Sequence, residues 1–551
     1  MHALWNTFSP ISILHEDLIY RIFLESTNGG RASRLIAQRQ AIVTAIRCSH
    51  VCRLWRKIIL SASKIWGRLI DVCFLLGRKT DEWLKEVVAR AGKAPLWVYD
   101  YRFMSARDEQ NGFIWSFLRE NWSRVELLTF GGSEHPDGMS LLEKQKIWAF
   151  LQEPAPHLRW IDLTLYDHDA DKFLPSHLFS NNAPRLTDFC IMCTESDKFN
   201  LVSMADASWT SNLCAISISW EITTKEVLAA LRRMPRLAHL GVSCSSDGPL
   251  AVDCREPQVL LPRLTRLQVS GYLSGVGAIL QHITPSADCC LSVSLSESED
   301  MELSELPDHG QLLYEQYEAA VAKYLLPYIS QHPPSTVRFG LDRVVSFFGC
   351  FPSREHLGVS LYTPFLSSSS LLQQLNGSSC WSGVSDLRLN VYDGEESEYN
   401  RSALYFGPCL GIVPTLRALS SITTLSTCDD GLHVLLQEPS ITATLFPALT
   451  VLKINFDLWA QEHPAELEEW PHHRFLRLRR EIGRPLSIFK TSLSKESLVN
   501  EDLDLDYLEE HVGLIFEWQY RDQEPRRYVC GRGTLGRKLR SFAKRCQRLE
   551  E

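Results

Sequence analysis

The stretch Pro235-Arg-Leu-Ala-His-Leu-Gly-Val242 decides the fold, because its pattern recurs along the chain. Apolar residues stand two, five and seven positions after the proline. The same spacing returns in Pro156-His-Leu-Arg-Trp-Ile-Asp-Leu163, Pro184-Arg-Leu-Thr-Asp-Phe-Cys-Ile191 and Pro262-Arg-Leu-Thr-Arg-Leu-Gln-Val269. Looser copies start near Glu120, Ser211, Asp288, Ser382, Ser420 and Pro447, and from Pro156 to Asp288 the starts follow one another every 24–28 residues. Side chains alternate along a strand, so the residues at plus five and plus seven point to one side and those between them to the other. One set builds a core and the other is left to face a partner.

Helical signals lie between the copies, such as Thr224 as a cap before Val227, Leu228, Leu231 and Met234. A strand, a return helix and a further strand parallel to the first predict a curved solenoid with its strands on the concave face. The period is that of leucine-rich repeats. The expected class is therefore α/β: a helical module over residues 1–75, a helical spacer over 76–119, a leucine-rich-repeat-like horseshoe over 120–495 and a C-terminal segment over 496–551. The pattern fades from 296 to 380, where Glu297, Glu299, Asp300, Glu302 and Glu305 read as a solvated insertion, with an interaction loop as the alternative. A helix with Leu312, Leu313, Tyr317, Ala320, Val321 and Tyr324 on one face is expected to follow. Arg474 to Arg484, then Pro485-Leu-Ser-Ile488, reads as the last helix and strand. The tail carries Arg526, Arg527, Arg532, Arg537, Lys538, Arg540, Lys544, Arg545 and Arg548 and reads as solvated or as a nuclear import signal. The outward strand residues Trp160, Asp162, Asp188, His239, Arg266, Gln268, Asp386 and Arg388 form the candidate target-binding set, since aromatic and Arg side chains are the usual anchors of interfaces.

The N-terminal module has its own pattern. Leu14, Leu18 and Ile22 recur every four residues, with Ile19 and Phe23 offset by one, as in a short amphipathic helix. Val51, Cys52, Trp55, Ile58 and Ile59 repeat that spacing, and Leu35, Ile36, Ile42, Val43 and Ile46 lie between them after the breaker Asn28-Gly29-Gly30. From Ser26 to Ile70 there is no Asp or Glu, in a chain whose net charge is -9. A basic surface of this kind suits an acidic partner or simply keeps a face solvated.

These residues resemble the F-box, the helical module that binds the Skp adaptor of cullin-RING ubiquitin ligases. The opening stands here as Leu14-His15-Glu16-Asp17-Leu18-Ile19-Tyr20-Arg21-Ile22-Phe23, and the second half as Val51-Cys52-Arg53-Leu54-Trp55 with the later Trp66. His15 stands where the family usually has proline, and Arg21 where an acid is frequent. Trp83-Leu84, Ala94-Pro95-Leu96 and Asn121-Trp122-Ser123-Arg124-Val125-Glu126-Leu127 are similar to the spacer of mushroom-type fungal F-box-like proteins. The resemblance implies an adaptor contact through Leu14, Leu18, Ile22, Val51, Leu54 and Trp55, and a target-recognition role for the repeats. A repeat scaffold with a degenerate F-box is the alternative, and nucleic acid is not the expected partner, because the apolar pairs around Trp55 are too regular for a recognition helix.

Composition narrows the rest. At 551 residues, 45% of them apolar and 22% charged, the chain reads as a soluble protein of two or more domains or one long repeat array. No run of about 18 apolar residues is present, and the start lacks the basic and apolar regions of a signal peptide. The expectation is a cytoplasmic or nuclear protein without a membrane partner, and its sixteen cysteines read as reduced thiols. Cys190 and Cys193 have half-site spacing for zinc but point to opposite faces of a strand. Asp167, Asp169 and Asp171 open like a calcium loop, yet Lys172 replaces the required glycine. The pair His472-His473, preceded by Glu466, Glu468 and Glu469, reads as surface polar residues. Gly77-Arg-Lys-Thr80 is no phosphate loop, and neither Gly-x-Ser-x-Gly nor His-Glu-x-x-His occurs. No catalytic group, metal or cofactor is expected.

Overall fold

The computed structural model describes residues 14–27, 34–76, 82–100, 108–131, 141–165, 177–193, 206–244, 257–286, 288–295, 307–341, 344–350, 356–362, 368–377, 379–391, 410–455, 470–493, 505–520, 524–539 and 541–542, with residues 175 and 204 besides. The acidic run at 297–305, the aspartates at 167–171, Gly77–Thr80 and the glutamates at 466–469 lie outside the described residues. The chain is a mixed α/β protein built on parallel sheets with no closed barrel among those residues, and it divides into two compact units. Unit one is Met1–Gly271 with His282–Ser286, and unit two is Tyr272–Gln281 with Ala287–Glu551.

Unit one starts with helices Glu16–Ser26, Arg34–Val51, Arg53–Ser61 and Ser63–Gly67. Its strands are β1 (Ile70–Asp71), β2 (Leu96–Asp100), β3 (Val125–Gly131), β4 (Trp160–Leu165), β5 (Asp188–Cys193), β6 (Ala215–Ile222), β7 (His239–Cys244), β8 (Val259–Leu260), β9 (Arg266–Gly271) and β10 (Ile283–Thr284). β1 to β7 pair in chain order and β9 follows β7, all parallel, while β8 and β10 form a separate short pair. The sequence pattern explains this register. In the four close copies every residue at plus two, plus five and plus seven is buried, from Leu158, Ile161 and Leu163 through to Leu264, Leu267 and Val269. The residue at plus two also closes a turn, its N–H donating to the carbonyl three residues back, as Leu158 does to Ala155 and Leu264 to Leu261. Each strand then begins on a shared acceptor: Thr187 and Asp188 both donate to Arg159, Cys214 and Ala215 to Thr187, and Ala238 and His239 to Cys214. Repeated turns of equal length thus fix equal registers.

Within the expected helical spacer, β2 is a strand paired with β1 and β3. The helix predicted to start on Thr224 is capped one residue earlier. Thr223 Oγ1 accepts the Glu226 N–H, and the Glu226 carboxylate answers the Thr223 N–H, a reciprocal cap that the Thr-x-x-Glu spacing signals.

Unit two contains β11 (Cys290–Leu295), β12 (Thr336–Leu341), β13 (Val344–Cys350), β14 (His356–Tyr362), β15 (Asp386–Val391), β16 (Thr424–Thr427), β17 (Val451–Asn455), β18 (Ile488–Leu493), β19 (Ile515–Tyr520) and β20 (Arg526–Val529). The region expected as an insertion supplies three of these strands: β12, β13 and β14 form an antiparallel meander, with β14 parallel to β11 and β12 parallel to β15. Helix Pro307–Gln331 packs Tyr314, Tyr317, Val321 and Tyr324 inward, whereas Leu312, expected on that face, is exposed. From β15 to β19 the strands run parallel in chain order, so parallel pairing continues past residue 495.

The basic tail is also folded where it is described. β20 pairs antiparallel with β19, and the Glu509 carboxylate collects the N–H groups of Gly531, Arg532, Thr534 and Leu535 and the Tyr528 hydroxyl at 2.6–2.9 Å. Arg526 lies over Phe542 and Lys538 over Tyr528. A tail reading based on charge alone overlooks the aromatic and glycine residues that organise these cations.

Candidate docking surfaces

The first helix begins on His15, whose carbonyl accepts the Leu18 N–H and whose Nδ1 accepts the Asp17 N–H, with Glu16 and Asp17 facing the positive end of the helix dipole. Proline is therefore not needed to start it. The helix ends at Thr27, whose hydroxyl donates to the Phe23 carbonyl at 2.6 Å. Its apolar residues divide between two faces. Ile19 and Phe23 are buried, while Leu18 is 48% and Ile22 51% exposed.

The second helix runs to Val51 and stops because Cys52 is extended; the Cys52 Sγ accepts the Trp55 N–H and starts the third helix. Ile58 and Ile59 are buried there, but Val51 is 59% and Leu54 36% exposed. Phe23 meets Trp55 edge-on, 4.9 Å between centroids, so the first helix is seated on the third. Ile22 and Leu54, the chain neighbours of that contact, are both exposed. Of the six positions singled out in the sequence none is buried: Leu18, Ile22, Val51 and Leu54 are exposed, and Leu14 and Trp55 half-buried. Arg47, Arg53, Arg56 and Lys57 are exposed on the second and third helices, and Lys64 on helix Ser63–Gly67.

Trp66 is core instead. Its indole N–H donates to the Ile59 carbonyl at 2.7 Å, and the Arg90 guanidinium covers its ring. Gly67 follows where a Cβ would collide with the Pro95 carbonyl oxygen. Within three further residues the chain enters β1, and Arg68 lies over Trp97 of β2 at 4.5 Å. The helices are thereby joined to the strands without a free linker.

The strand positions fall into rows. Trp160, Asp188, Ala215, His239 and Arg266 are in register across unit one, and Asp162, Cys190, Ser217, Gly241 and Gln268 form the next row. The structure thus brings the six unit-one candidates onto one face. His239, Arg266 and Gln268 are exposed, and Trp160 and Asp162 half-buried. Asp188, expected to be open to a target, is only 9% exposed, and its Oδ2 accepts the Thr187 hydroxyl at 2.7 Å. Asp386 of unit two repeats that bond with Ser385, while Arg388 is exposed. Sequence reading missed Arg338, Lys453, Lys490, Glu517 and Arg527, which share the row of Arg388. Lys453 was within reach, because it stands six after Pro447 as Gln268 stands six after Pro262.

His472, expected at the surface, is buried: its Nδ1 lies 2.8 Å from both Asp429 carboxylate oxygens, and its backbone N–H donates to Asp429 Oδ1 at 2.9 Å. Asp429 therefore caps helix Pro471–Glu481 from helix Asp429–Leu436. Cys190 is in register with Asp162, and Cys193 with Leu165. Among the described residues no group of three or more His, Cys, Asp or Glu could hold a metal ion. No helix among them is long and apolar enough to cross a membrane. In comparison with known proteins, no family model and no curated protein sequence matches the chain.

Proposed function

We propose that this protein is an F-box-type substrate-recognition subunit of a cullin-RING ubiquitin ligase, its N-terminal helices docking on a Skp-type adaptor and its strand faces binding a target protein. The observation that carries the reading is the division of the first and third helices. Leu18, Ile22, Val51 and Leu54 stay exposed while Ile19, Phe23, Ile58 and Ile59 complete the local core. Large apolar side chains that the fold does not use mark a surface made for a partner, and the acid-free stretch 26–70, which carries Val51 and Leu54, favours an acidic one. The repeats would form a leucine-rich-repeat-like horseshoe presenting the target. In this role the protein makes no bond itself; it supplies effective concentration and orientation, which the short Gly67 junction to β1 would preserve. The reading assigns it to the cytoplasm or nucleus.

The test is co-purification of the intact chain with the Skp adaptor, beside a Leu18→Ala/Ile22→Ala variant. Binding lost in the variant supports the ligase reading. No binding by the native chain leaves a repeat scaffold with a degenerate F-box.

A further inference from the structure

The sheet of unit two carries a row of cations. Arg338 on β12 is in register with Arg388 on β15, Ser426 on β16, Lys453 on β17, Lys490 on β18, Glu517 on β19 and Arg527 on β20. Like charges directly opposite on neighbouring strands repel, and the row contains two such pairs, Arg338 with Arg388 and Lys453 with Lys490. Part of the repulsion is answered internally. Glu517 accepts from Lys490 Nζ and from Arg527 Nε, each at 2.6 Å, and these cations hold its carboxyl below the usual range. Among the described residues no carboxylate forms an ion pair with Arg338, Arg388 or Lys453, and the Arg338 Nε is buried without a hydrogen-bond partner. The chain as a whole is net negative at -9, so the row is a local feature and not general basicity.

The adjoining row is polar beside Arg338, Arg388 and Ser426, where Thr336, Asp386 and Thr424 stand, and apolar from β17 on. Val451, Ile488 and Ile515 are in register and half-buried, with Val529 next to Ile515 and 39% exposed. Asp386 occupies the same row on β15, its carboxylate taken by the Ser385 hydroxyl. Adjacent strands lie about 4.8 Å apart, so four strand steps from Arg338 to Lys490 cover about 19 Å, the length of about six residues of extended peptide.

We infer that this face of unit two binds an acidic peptide segment, its carboxylates at alternate positions meeting Arg338, Arg388 and Lys453. The inference rests on the proposal that strand faces bind the target, and deepens it by naming the target's chemistry; it is independent of adaptor docking.

The probe is a fluorescein-labelled peptide of about twelve residues that alternates Glu with Ser, read by polarisation with the full chain. The control peptide has Gln for every Glu. The acidic peptide is expected to bind and the control not, with affinity falling as salt rises. Arg388→Ala/Lys453→Ala should weaken binding about tenfold, because both side chains are exposed and lose only their charge contacts, while Arg236→Ala/Arg263→Ala should leave it unchanged. An unchanged affinity in the first pair, or equal loss in the second, overturns the inference. So does binding confined to a phosphoserine peptide or to single-stranded nucleic acid. The sequence following β15 has its own acidic stretch at 393–398, and binding that appears only after Glu395, Glu396 and Glu398 are changed to Gln also overturns it, since the occupant is then that stretch. Adaptor capture is measured on the same preparations: capture without peptide binding removes this inference alone, and peptide binding without capture removes the ligase reading alone.

Discussion

Leu18 and Ile22 offer a substitution whose effects on stability and on binding should separate. Each keeps about half of its surface in water, 48% and 51%. Full burial of a Leu or Ile side chain is worth about 1.5–3 kcal/mol, so covering the remaining half contributes about 1 kcal/mol per residue. The double alanine variant should then bind the adaptor about 2 kcal/mol more weakly, a loss of about 30-fold. Unfolding should move by less than about 1 kcal/mol, as for other surface truncations. One position along the helix the ledger reverses. Phe23 is 1% exposed and seats Trp55, so Phe23→Ala should cost about 3–5 kcal/mol of module stability and lose adaptor binding only through unfolding. Titration of immobilised adaptor with each variant, paired with thermal unfolding followed by circular dichroism, reads both quantities. The reasoning is refuted if Leu18→Ala/Ile22→Ala melts like Phe23→Ala, or if it stays as stable as the native chain and binds the adaptor equally well.

Three further perturbations test the frame. Arg479 is buried, and its guanidinium donates to the carbonyls of Leu445, Phe446, Leu449 and Arg484, with Phe446 held at a φ of 51°. Arg479→Ala leaves those acceptors unanswered and should destabilise unit two by about 3–5 kcal/mol in denaturant titration. Gly67→Ala drives a Cβ into the Pro95 carbonyl and should cost about 1–3 kcal/mol, seen as faster protease cleavage between the helices and β1. Burial works to raise the Glu509 carboxyl, but the Tyr528 hydroxyl and the backbone N–H groups of residues 531–535 hold it down at about 2, against an ordinary 4.5. A depressed carboxylate stabilises the fold above its ordinary value and loses that contribution as pH falls toward the folded value. The Gly531, Thr534 and Leu535 amides should therefore lose hydrogen-exchange protection between pH 4.5 and 2, and Glu509→Gln should lose it already at neutral pH; full protection of the variant would contradict the assignment.

The strands were legible because their signal is geometric. Leu237, Leu240 and Val242 stand at intervals that place all of them on one side, and each is buried. The turn before each strand repeats the same two-residue step, so registers follow from spacing alone. The meander β12–β14 was not legible, since antiparallel neighbours need no return helix and leave no period in the sequence. Nor could charge say that the tail folds: Glu509 gathers donors that are 19–26 residues away, a contact no local pattern records. His472 was misplaced for a similar reason, because its partner Asp429 lies 43 residues earlier.

The N-terminal stripe shows where sequence and structure part most usefully. Leu14, Leu18 and Ile22 keep a step of four, while a helix turns every 3.6 residues, so a stripe five residues wide looks like a single core face. Packing divides it: Phe23 turns toward Trp55, and Leu18 and Ile22 toward water. Among the described residues nothing requires those two to be apolar, since a polar residue at a half-exposed helix position costs little, and exposed Leu and Ile favour unwanted association. A fold-based explanation therefore accounts for Ile19, Phe23, Ile58 and Ile59 but not for Leu18, Ile22, Val51 and Leu54. On the proposed ligase reading, their chemistry answers a partner surface. For that reason Leu18→Ser/Ile22→Ser should raise the solubility of the isolated protein while weakening adaptor capture, and a variant that gains solubility with capture intact would place the demand for these residues elsewhere.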